Sequence, residues 1–146
     1  MPGLSADDRS FLQQARVARL ATASAAGRPH VVPVCFVYDG TRLYTAIDAK
    51  PKRADPRRLR RLQNLRENPW AALLVDHYTE DWTALRYVLA TGPAEILEAG
   101  PERDGAVALL REKYPQYRSM AGFGDGPVIR LLPERIACWQ ASPRGR

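Results

Sequence analysis

The sequence has few of the residues that most often carry catalysis or bind metals. It holds two histidines, His30 and His77, and two cysteines, Cys35 and Cys138, among 146 residues. Neither histidine is spaced four residues from a second ligand on a helix, and two separated cysteines cannot form a zinc site by themselves. No metal centre is therefore expected. Each cysteine lies in a short apolar run, so both are expected to be buried and reduced.

The chain also lacks the motifs of several enzyme classes. There is no G-x-S-x-G nucleophile elbow, and Ser24 is expected to be a polar turn residue. The glycines of "GFGDG" (122–126) precede a strand rather than a helix, which is the wrong order for dinucleotide binding and favours an ordinary flexible loop. Glu80 and Asp81 are adjacent and are expected to form a solvated turn. The sequence identifies no catalytic residue, so in an enzyme a bound cofactor would carry the reaction.

Long hydrophobic runs are absent as well. No apolar segment approaches the roughly 18 residues of a membrane span, and the start "MPGLSADDRS" lacks the basic and apolar parts of a secretion signal. A cytoplasmic protein without a membrane span is expected. With 45% hydrophobic residues, the chain 1–146 is predicted to form a single domain with a real core.

Positive charge, by contrast, is concentrated in one stretch. The segment from Lys50 to Arg66 holds eight basic residues and one acid, Asp55, whereas the formal net charge of the whole chain is +6. The remainder is therefore close to neutral. A local concentration favours a pocket for one polyanionic ligand, although a nucleic-acid surface stays open as a less favoured alternative.

The hydrophobic pattern predicts short antiparallel strands with helices at the periphery. Strands are predicted at 17–24, 29–38, 42–47, 70–78, 85–97 and 127–140, the last interrupted at Pro133. Helices are predicted at 5–14, at 56–67 with leucines at three-residue spacing, and from Gly100-Pro101 to about Tyr114. The strand at 70–78 is apolar on both faces. The fold class is therefore mainly β with peripheral helices, a small antiparallel barrel whose ligands bind outside it or at a subunit boundary.

Two longer segments carry a family resemblance. "GRPHVVPVCFVYDGTRLYTAIDAKPKR" and "LRRLQNLRENPWAALLVDHY" resemble the split-barrel flavin-binding proteins related to pyridoxamine 5′-phosphate oxidase. In particular, the chain is similar to the subgroup of probable coenzyme F420-dependent enzymes over residues 8–140. The Gly-x-Pro strand, the Tyr-Thr pair, the lysine-containing loop, the Asn-x-x-x-Asn-Pro helix end and "DHYTEDW" carry this resemblance together.

The resemblance implies a homodimer of six-stranded antiparallel split β-barrels, the FMN-binding split barrel, with two cofactor sites at the subunit interface. It places the cofactor phosphate on the loop after the third strand and on the next helix. The cofactor-binding residues that it implies are Val32, Pro33, Val34, Thr45, Ala46, Lys50, Lys52, Arg53, Arg58, Arg61 and Trp139. For Val32 and Val34, plain packing of the barrel is an equal alternative, and for Trp82 and Trp139 packing in the core or dimer is favoured over ring stacking.

The residue chemistry of the basic stretch agrees with a phosphate site. Lys50 and Lys52 flank Pro51, so a rigid turn could direct both ammonium groups to one anion. Arg58 falls within the leucine arc of the predicted helix, where a charge must reach solvent or find an anion. Arg57 and Arg60 lie away from that arc and are expected to contribute less.

The expected function is a coenzyme F420 (deazaflavin)-dependent oxidoreductase that transfers a hydride to or from a small unsaturated or quinone-like substrate. Eight basic residues suit the phosphodiester and glutamate tail of F420 better than the single phosphate of FMN. The alternatives are an FMN-dependent oxidase or reductase on the same fold, a non-catalytic cofactor carrier and, more remotely, a nucleic-acid-binding protein.

Overall fold

A computed structural model of the protein describes residues 4–47 and 59–142. The helices in this part of the chain are α1 (Ala6–Gln14), α2 (Arg60–Glu67) and α3 (Pro101–Lys113). The strands are β1 (Ala18–Ala23), β2 (Pro29–Val34), β3 (Val37–Tyr38), β4 (Leu43–Ala46), β5 (Trp70–His77), β6 (Arg86–Leu97), β7 (Val128–Leu131) and β8 (Arg135–Gln140). Short 3-10 helices span Trp82–Ala84 and Pro115–Arg118.

All six predicted strands are present, and two of them are interrupted. The strand predicted at 29–38 breaks at residues 35–36 to give β2 and β3, and the last strand breaks around Pro133 to give β7 and β8. Both halves of the last strand pair with β6, β8 along Arg86–Thr91 and β7 along Ala94–Leu97. Gly92 lies between these two stretches, where a Cβ atom would be 2.2 Å from the carbonyl oxygen of Leu132. Only glycine fits this close approach of two backbones.

The strands form one antiparallel sheet that curls into a half-barrel. Its order is β2-β1-β5-β6-β7-β4-β3, and β8 pairs with β6. β2 and β4 lie near opposite ends of this order, yet the hydroxyl of Thr45 in β4 donates to the carbonyl of Cys35, just after β2, at 2.7 Å. The curl therefore brings the two ends of the sheet together, and the fold is the mainly β split barrel that the sequence predicts.

The concave side of the sheet holds the main core. In β5, Ala71, Leu73 and Val75 are buried, and their counterparts in the other strands pack around Phe36 and Leu20. Within one chain the strand is buried on its concave face only, because the alternating residues on the convex face are half-buried or exposed. Among the described residues, that convex face is left largely uncovered.

The helices begin and end as local chemistry predicts. Ser5 caps α1, because its hydroxyl accepts a hydrogen bond from the backbone N–H of Asp8 at 3.0 Å. α2 ends at Asn68, before Pro69, while residues 56–58 of the predicted helix lie outside the described residues. Gly100, with φ of 109°, precedes Pro101 at the start of α3. No helix of the described chain has the length and apolarity to cross a membrane.

A smaller second core lies beneath α3 and includes the glycine-rich loop. Phe123 is buried and stacks on Tyr117 with ring centroids 3.8 Å apart. Arg103 donates to the carbonyls of Gly124 and Gly126, and Arg111 donates to that of Phe123. The loop therefore has a packing role, since α3 holds it against the end of β4.

The prediction of two buried cysteines is wrong for Cys138, which is exposed, and Cys35 is only partly buried. Both are free thiols. Partial burial beside Asp8 raises the pKa of Cys138 to about 11, which leaves its thiol protonated and weakly nucleophilic at neutral pH.

Candidate functional site

A cavity of about 470 Å³ lies between the β1–β2 turn and α2, and it is called the α2 cavity here. Its walls include Ser24, Arg28, His30, Arg60, Asn64 and Glu67. The volume is within the range of small-molecule sites. Because α2 forms the C-terminal part of the basic segment Lys50 to Arg66, the cavity lies beside that segment.

The β1–β2 turn forms one wall through its own hydrogen bonds. The hydroxyl of Ser24 accepts from the backbone N–H of Arg28 at 3.1 Å, and Gly27 adopts φ of 79°. A carboxylate oxygen of Glu67, in the last turn of α2, accepts from the backbone N–H of Ala25 at 3.1 Å. The turn is thereby fixed to α2, which gives the cavity two joined walls.

Two buried polar atoms in the wall have no hydrogen-bond partner among the described residues. Asn64 is 0% exposed, and its amide nitrogen donates to the Thr22 hydroxyl at 3.1 Å while its amide oxygen is unpaired. The Nδ1 atom of His30 is also buried and unpaired. An unpaired buried polar atom costs roughly 1–3 kcal/mol, so a polar ligand or water in the cavity would lower the free energy of this site.

The charge of the α2 cavity is positive. Arg28 and Arg60 are exposed at its walls, and the carboxylate of Glu67 is already bonded to the turn. Residues 48–58, which carry five further basic side chains, connect β4 with α2. The residues present therefore fit an anionic group with additional hydrogen-bonding atoms.

The structure brings some of the predicted site residues together. Val34 and Thr45 are linked through the Cys35 carbonyl, and Ala46 follows Thr45 in the same buried strand. Val32 is partly buried and packs against the main core, so its side chain has the packing role that the sequence left open. Pro33 is exposed on the convex face.

Other predicted residues lie elsewhere or cannot be placed. Arg61 is half-buried in the first turn of α2 but does not line the α2 cavity, whereas Arg60, expected to matter less, does. Trp139 is exposed and stacks on Tyr87, and β1, β5 and β6 separate it from β2 within one chain. Lys50, Lys52, Arg53 and Arg58 lie outside the described residues. Trp82 is 67% exposed, so neither tryptophan packs in the core of this chain, and packing in a dimer stays a prediction.

The break between β2 and β3 is held by the C-terminal end of α3. The ammonium group of Lys113 donates to the Phe36 carbonyl at 2.9 Å, and the Tyr114 hydroxyl accepts from the Phe36 N–H at 3.1 Å. Burial lowers the pKa of Lys113 to about 8. These contacts fix the backbone where β2 ends, beside Val34.

Sequence reasoning missed His30 and Asn64 as parts of a site. His30 was considered only as a metal ligand, and no group of three or more metal-binding side chains occurs among residues 4–47 and 59–142. A signal for Asn64 was present, since it is the first asparagine of the Asn-x-x-x-Asn-Pro motif and lies between Leu62 and Leu65. A polar residue within a buried leucine stripe indicates a hydrogen-bonding role.

Comparison with known proteins gives the same fold and a family. A relative from Streptomyces rimosus, a 5a,11a-dehydrotetracycline/5a,11a-dehydrooxytetracycline reductase, is 30% identical over 131 residues, which are 89% of this chain and 78% of that protein. The solved structure of an F420 reductase has a TM-score of 0.64 at 24% identity, covering 88% of this chain and 94% of its own. The haem storage protein HutZ of Vibrio cholerae has a TM-score of 0.72 at 21% identity, covering 94% of both chains.

The two solved structures establish the fold but not the activity, since their identities are below a quarter. The profile of the pyridoxamine 5′-phosphate oxidase family matches residues 4–140, which is nearly the whole chain. Together with the reductase relative, this match means that the chain belongs to the pyridoxamine 5′-phosphate oxidase family of oxidoreductases.

Proposed function

We propose that the protein is a coenzyme F420-dependent oxidoreductase that reduces a small unsaturated or quinone-like molecule. The observation that carries the proposal is the α2 cavity, where two arginines and two unpaired buried polar atoms meet beside the basic segment. When bound, the deazaflavin would supply a hydride. The 5a,11a-dehydrotetracycline reductase relative and the F420 reductase with this fold support reduction as the chemistry.

In this proposal the chain binds and orients the cofactor. Arg60, the amide of Asn64 and His30 hold its anionic end, with Lys50, Lys52, Arg53, Arg58 and Arg61 as further cationic ligands. The backbone of Val32–Val34 and the buried Thr45 and Ala46 flank its ring. The contacts of Lys113 and Tyr114 with Phe36 keep the end of β2 in place, so the ring meets a fixed backbone rather than a mobile one.

We further propose that the protein acts as a homodimer through the convex face of the sheet. This face carries exposed apolar side chains, among them Val31 at 65% and Trp139 at 46% exposure. A second copy is the partner that would cover it, because Trp139 can approach the cofactor-flanking residues of β2 only from another chain. Apolar side chains predominate on this face, although the Arg19–Asp76 ion pair also lies there, and exposed apolar patches of this kind are typical of protein interfaces.

Light scattering tests the dimer. The wild-type protein should have about twice the chain mass of 16.3 kDa at micromolar concentration. Val31→Asp should give the monomer, because it places a charge in the apolar part of the proposed interface. Met120→Asp, at another exposed apolar position that follows the 3-10 helix Pro115–Arg118, should remain dimeric. A monomeric wild type that binds cofactor would refute the dimer.

A pair of variants tests the cofactor site. Asn64→Leu removes both the bond to Thr22 and the unpaired amide oxygen, whereas Thr22→Val removes the same bond and keeps that oxygen. Both should lower the free energy of unfolding by about 1–3 kcal/mol. Only Asn64→Leu should weaken F420 binding, by about tenfold, in a fluorescence titration. Equal affinities would mean that the amide does not contact the cofactor.

The choice between F420 and FMN is tested by competition. F420 should bind more tightly, with an affinity that rises with the number of glutamates and weakens with salt. Equal affinity regardless of tail length would favour the FMN-dependent alternative. A bound cofactor with no turnover of any unsaturated acceptor would favour a carrier, and a steep linear fall of nucleic-acid affinity with log salt would favour the remote alternative of nucleic-acid binding.

A further inference from the structure

A second cavity lies at the end of the sheet opposite the α2 cavity, and it is called the α1 cavity here. It has a volume of about 680 Å³ and is bounded by α1, the end of β5, the start of β6 and the chain after β8. Its walls include Ser10, Phe11, His77, Leu85, Gln140 and Ser142. This volume is also within the range of small-molecule sites, so the fold presents two separate places for a ligand.

Unlike the α2 cavity, the α1 cavity has its positive charge neutralised. The guanidinium group of Arg86 lies between two carboxylates, 3.0 Å from Asp7 and 2.7 Å from Asp8, and stacks on the Phe11 ring at 4.2 Å. The side-chain amide of Gln140 donates to Asp7 at 3.1 Å. No cation in the described wall is left to bind a phosphate or a glutamate tail, so an anionic ligand is disfavoured here.

The remaining polar groups of the wall suit hydroxyl or carbonyl groups. The imidazole of His77 and the hydroxyl of Ser142 have no hydrogen-bond partner among residues 4–47 and 59–142. The Ser10 hydroxyl accepts a bond from Gln14 and can still donate. Leu85 and Phe11 add apolar surface between these groups. A ring system with hydroxyl or carbonyl substituents would use both kinds of surface.

The α1 cavity also stays open in the proposed dimer. Arg86 in β6 pairs with His77 in β5 and with Gln140 in β8. The next pair along β6 and β8 is Tyr87 with Trp139, on the convex face. Because side chains alternate along a strand, the cavity residues face the concave side, opposite the convex apolar face.

We infer that the α1 cavity is a second small-molecule site that takes a neutral, hydroxylated or carbonyl-bearing aromatic compound. The inference concerns a different end of the sheet from the cofactor site and does not depend on which cofactor the protein uses. The same side chains of the α1 cavity would recognise either a substrate or an effector of this chemistry.

Two probes that share the naphthalene ring but differ in charge test this inference. In cofactor-free protein, 2,7-dihydroxynaphthalene should shift the backbone amide resonances of Ser10, His77 and Gln140 in a saturable way. Naphthalene-2,7-disulfonate at the same concentration should leave these resonances unmoved, because Arg86 is already paired. Shifts by both probes at these residues, or by neither, would overturn the inference.

Variants that fill the cavity provide the matched control. Ala84 is exposed at the wall, and Ala84→Trp should weaken the diol at least about tenfold. Ala108→Trp, at an exposed position on α3, should bind the diol like the wild type. If Ala84→Trp does not fold, Gln14→Trp on α1 replaces it. Equal affinity in the filled and control variants would overturn the inference.

Arg60→Ala, which affects only the α2 cavity, should bind the diol as tightly as the wild type does. The result for the α1 cavity would therefore stand even if the cofactor proposal failed.

Discussion

The two cavities are built from similar residues but differ in how their charges are compensated. In the α2 cavity, Arg28 and Arg60 are exposed and the one acid in the wall, Glu67, is bonded to a backbone amide. In the α1 cavity, the one guanidinium is held by two carboxylates. An arginine therefore indicates an anion site only where its partners within the chain leave its charge uncompensated.

The largest effect is expected from breaking the sheet on which both cavities depend. Gly92→Ala would place a Cβ atom 2.2 Å from the Leu132 carbonyl oxygen and 2.8 Å from the Glu134 amide nitrogen. Backbone atoms cannot move aside cheaply, so the free energy of unfolding should fall by about 3 kcal/mol, with both ligand sites weakened together. Urea unfolding measures this.

The matched control for that change is Gly105→Ala. Gly105 lies in α3 with open space around its Cβ position, so alanine should stabilise the protein by about 0.5–1 kcal/mol. If alanine at Gly92 left the stability unchanged, β7 and β8 would not pair with β6 as described.

The next effect concerns the uncompensated charge of the α2 cavity. Arg60→Ala should weaken F420 binding by about ten- to a hundredfold, because it removes a charged hydrogen-bond donor from the wall. Arg66→Ala, on the same helix and 4.0 Å from Glu98, should change it little. Titrating both variants shows whether F420 affinity depends on the position of the arginine in the cavity wall or only on the total charge of α2. Equal losses of affinity would indicate a diffuse electrostatic surface.

The difference between the cavities can also be abolished. The double change Asp7→Asn and Asp8→Asn keeps the size of both side chains but leaves the Arg86 charge uncompensated. The α1 cavity should then bind naphthalene-2,7-disulfonate, with a gain in affinity of about tenfold measured from amide shifts. An unchanged response to the disulfonate would show that charge compensation is not what excludes anions.

The smallest effect concerns Lys113, whose ammonium group donates to the Phe36 carbonyl. Because burial lowers the pKa of Lys113 from 10.5 to about 8, the unfolded state binds a proton that the folded state lacks between these values. The free energy of unfolding should therefore rise with pH above about 8, and below that value the gain is absent. Solvent screening at this partly exposed group keeps the rise small.

Unfolding measured from pH 7 to 9.5 tests this, with Lys113→Met as the reference. The rise should appear as a difference between the two proteins, because both share the opposing titration of Cys138, whose pKa burial raises to about 11. The upper limit avoids the tyrosines, since burial raises the pKa of Tyr38 and Tyr114 and their unfolded forms ionise first. Identical pH slopes in the two proteins would contradict the lowered pKa.

Local patterns predicted most of the elements of the fold. The strand at 42–47, the helix at 5–14 and the helix end at Asn68-Pro69 each depend on neighbouring residues, and the structure has all three. The burial of Cys138 was predicted wrongly from its apolar neighbours. The strand in which it lies is at an edge, paired only with β6, so its surroundings differ from those of a central strand.

The candidate site was predicted less completely. The family resemblance implied Arg61 at the phosphate, and the helical wheel placed Arg60 away from the leucine arc. The cavity wall depends instead on where the β1–β2 turn packs against α2, which no spacing within the helix determines. The role of Asn64 likewise depends on Thr22, 42 residues away in β1.

The sequence by itself determined the strand and helix pattern, the caps and turns, and the concentration of eight basic residues in one segment. These properties follow from neighbours in the chain, where alternation, capping and charge act over a few residues. Only the tertiary structure decided which charges are compensated, because Arg86 meets Asp7 from 79 residues away. It also decided which polar atoms stay unpaired among the described residues, since the packing of α2 against the sheet buries the Nδ1 atom of His30 and the amide oxygen of Asn64 away from any partner there.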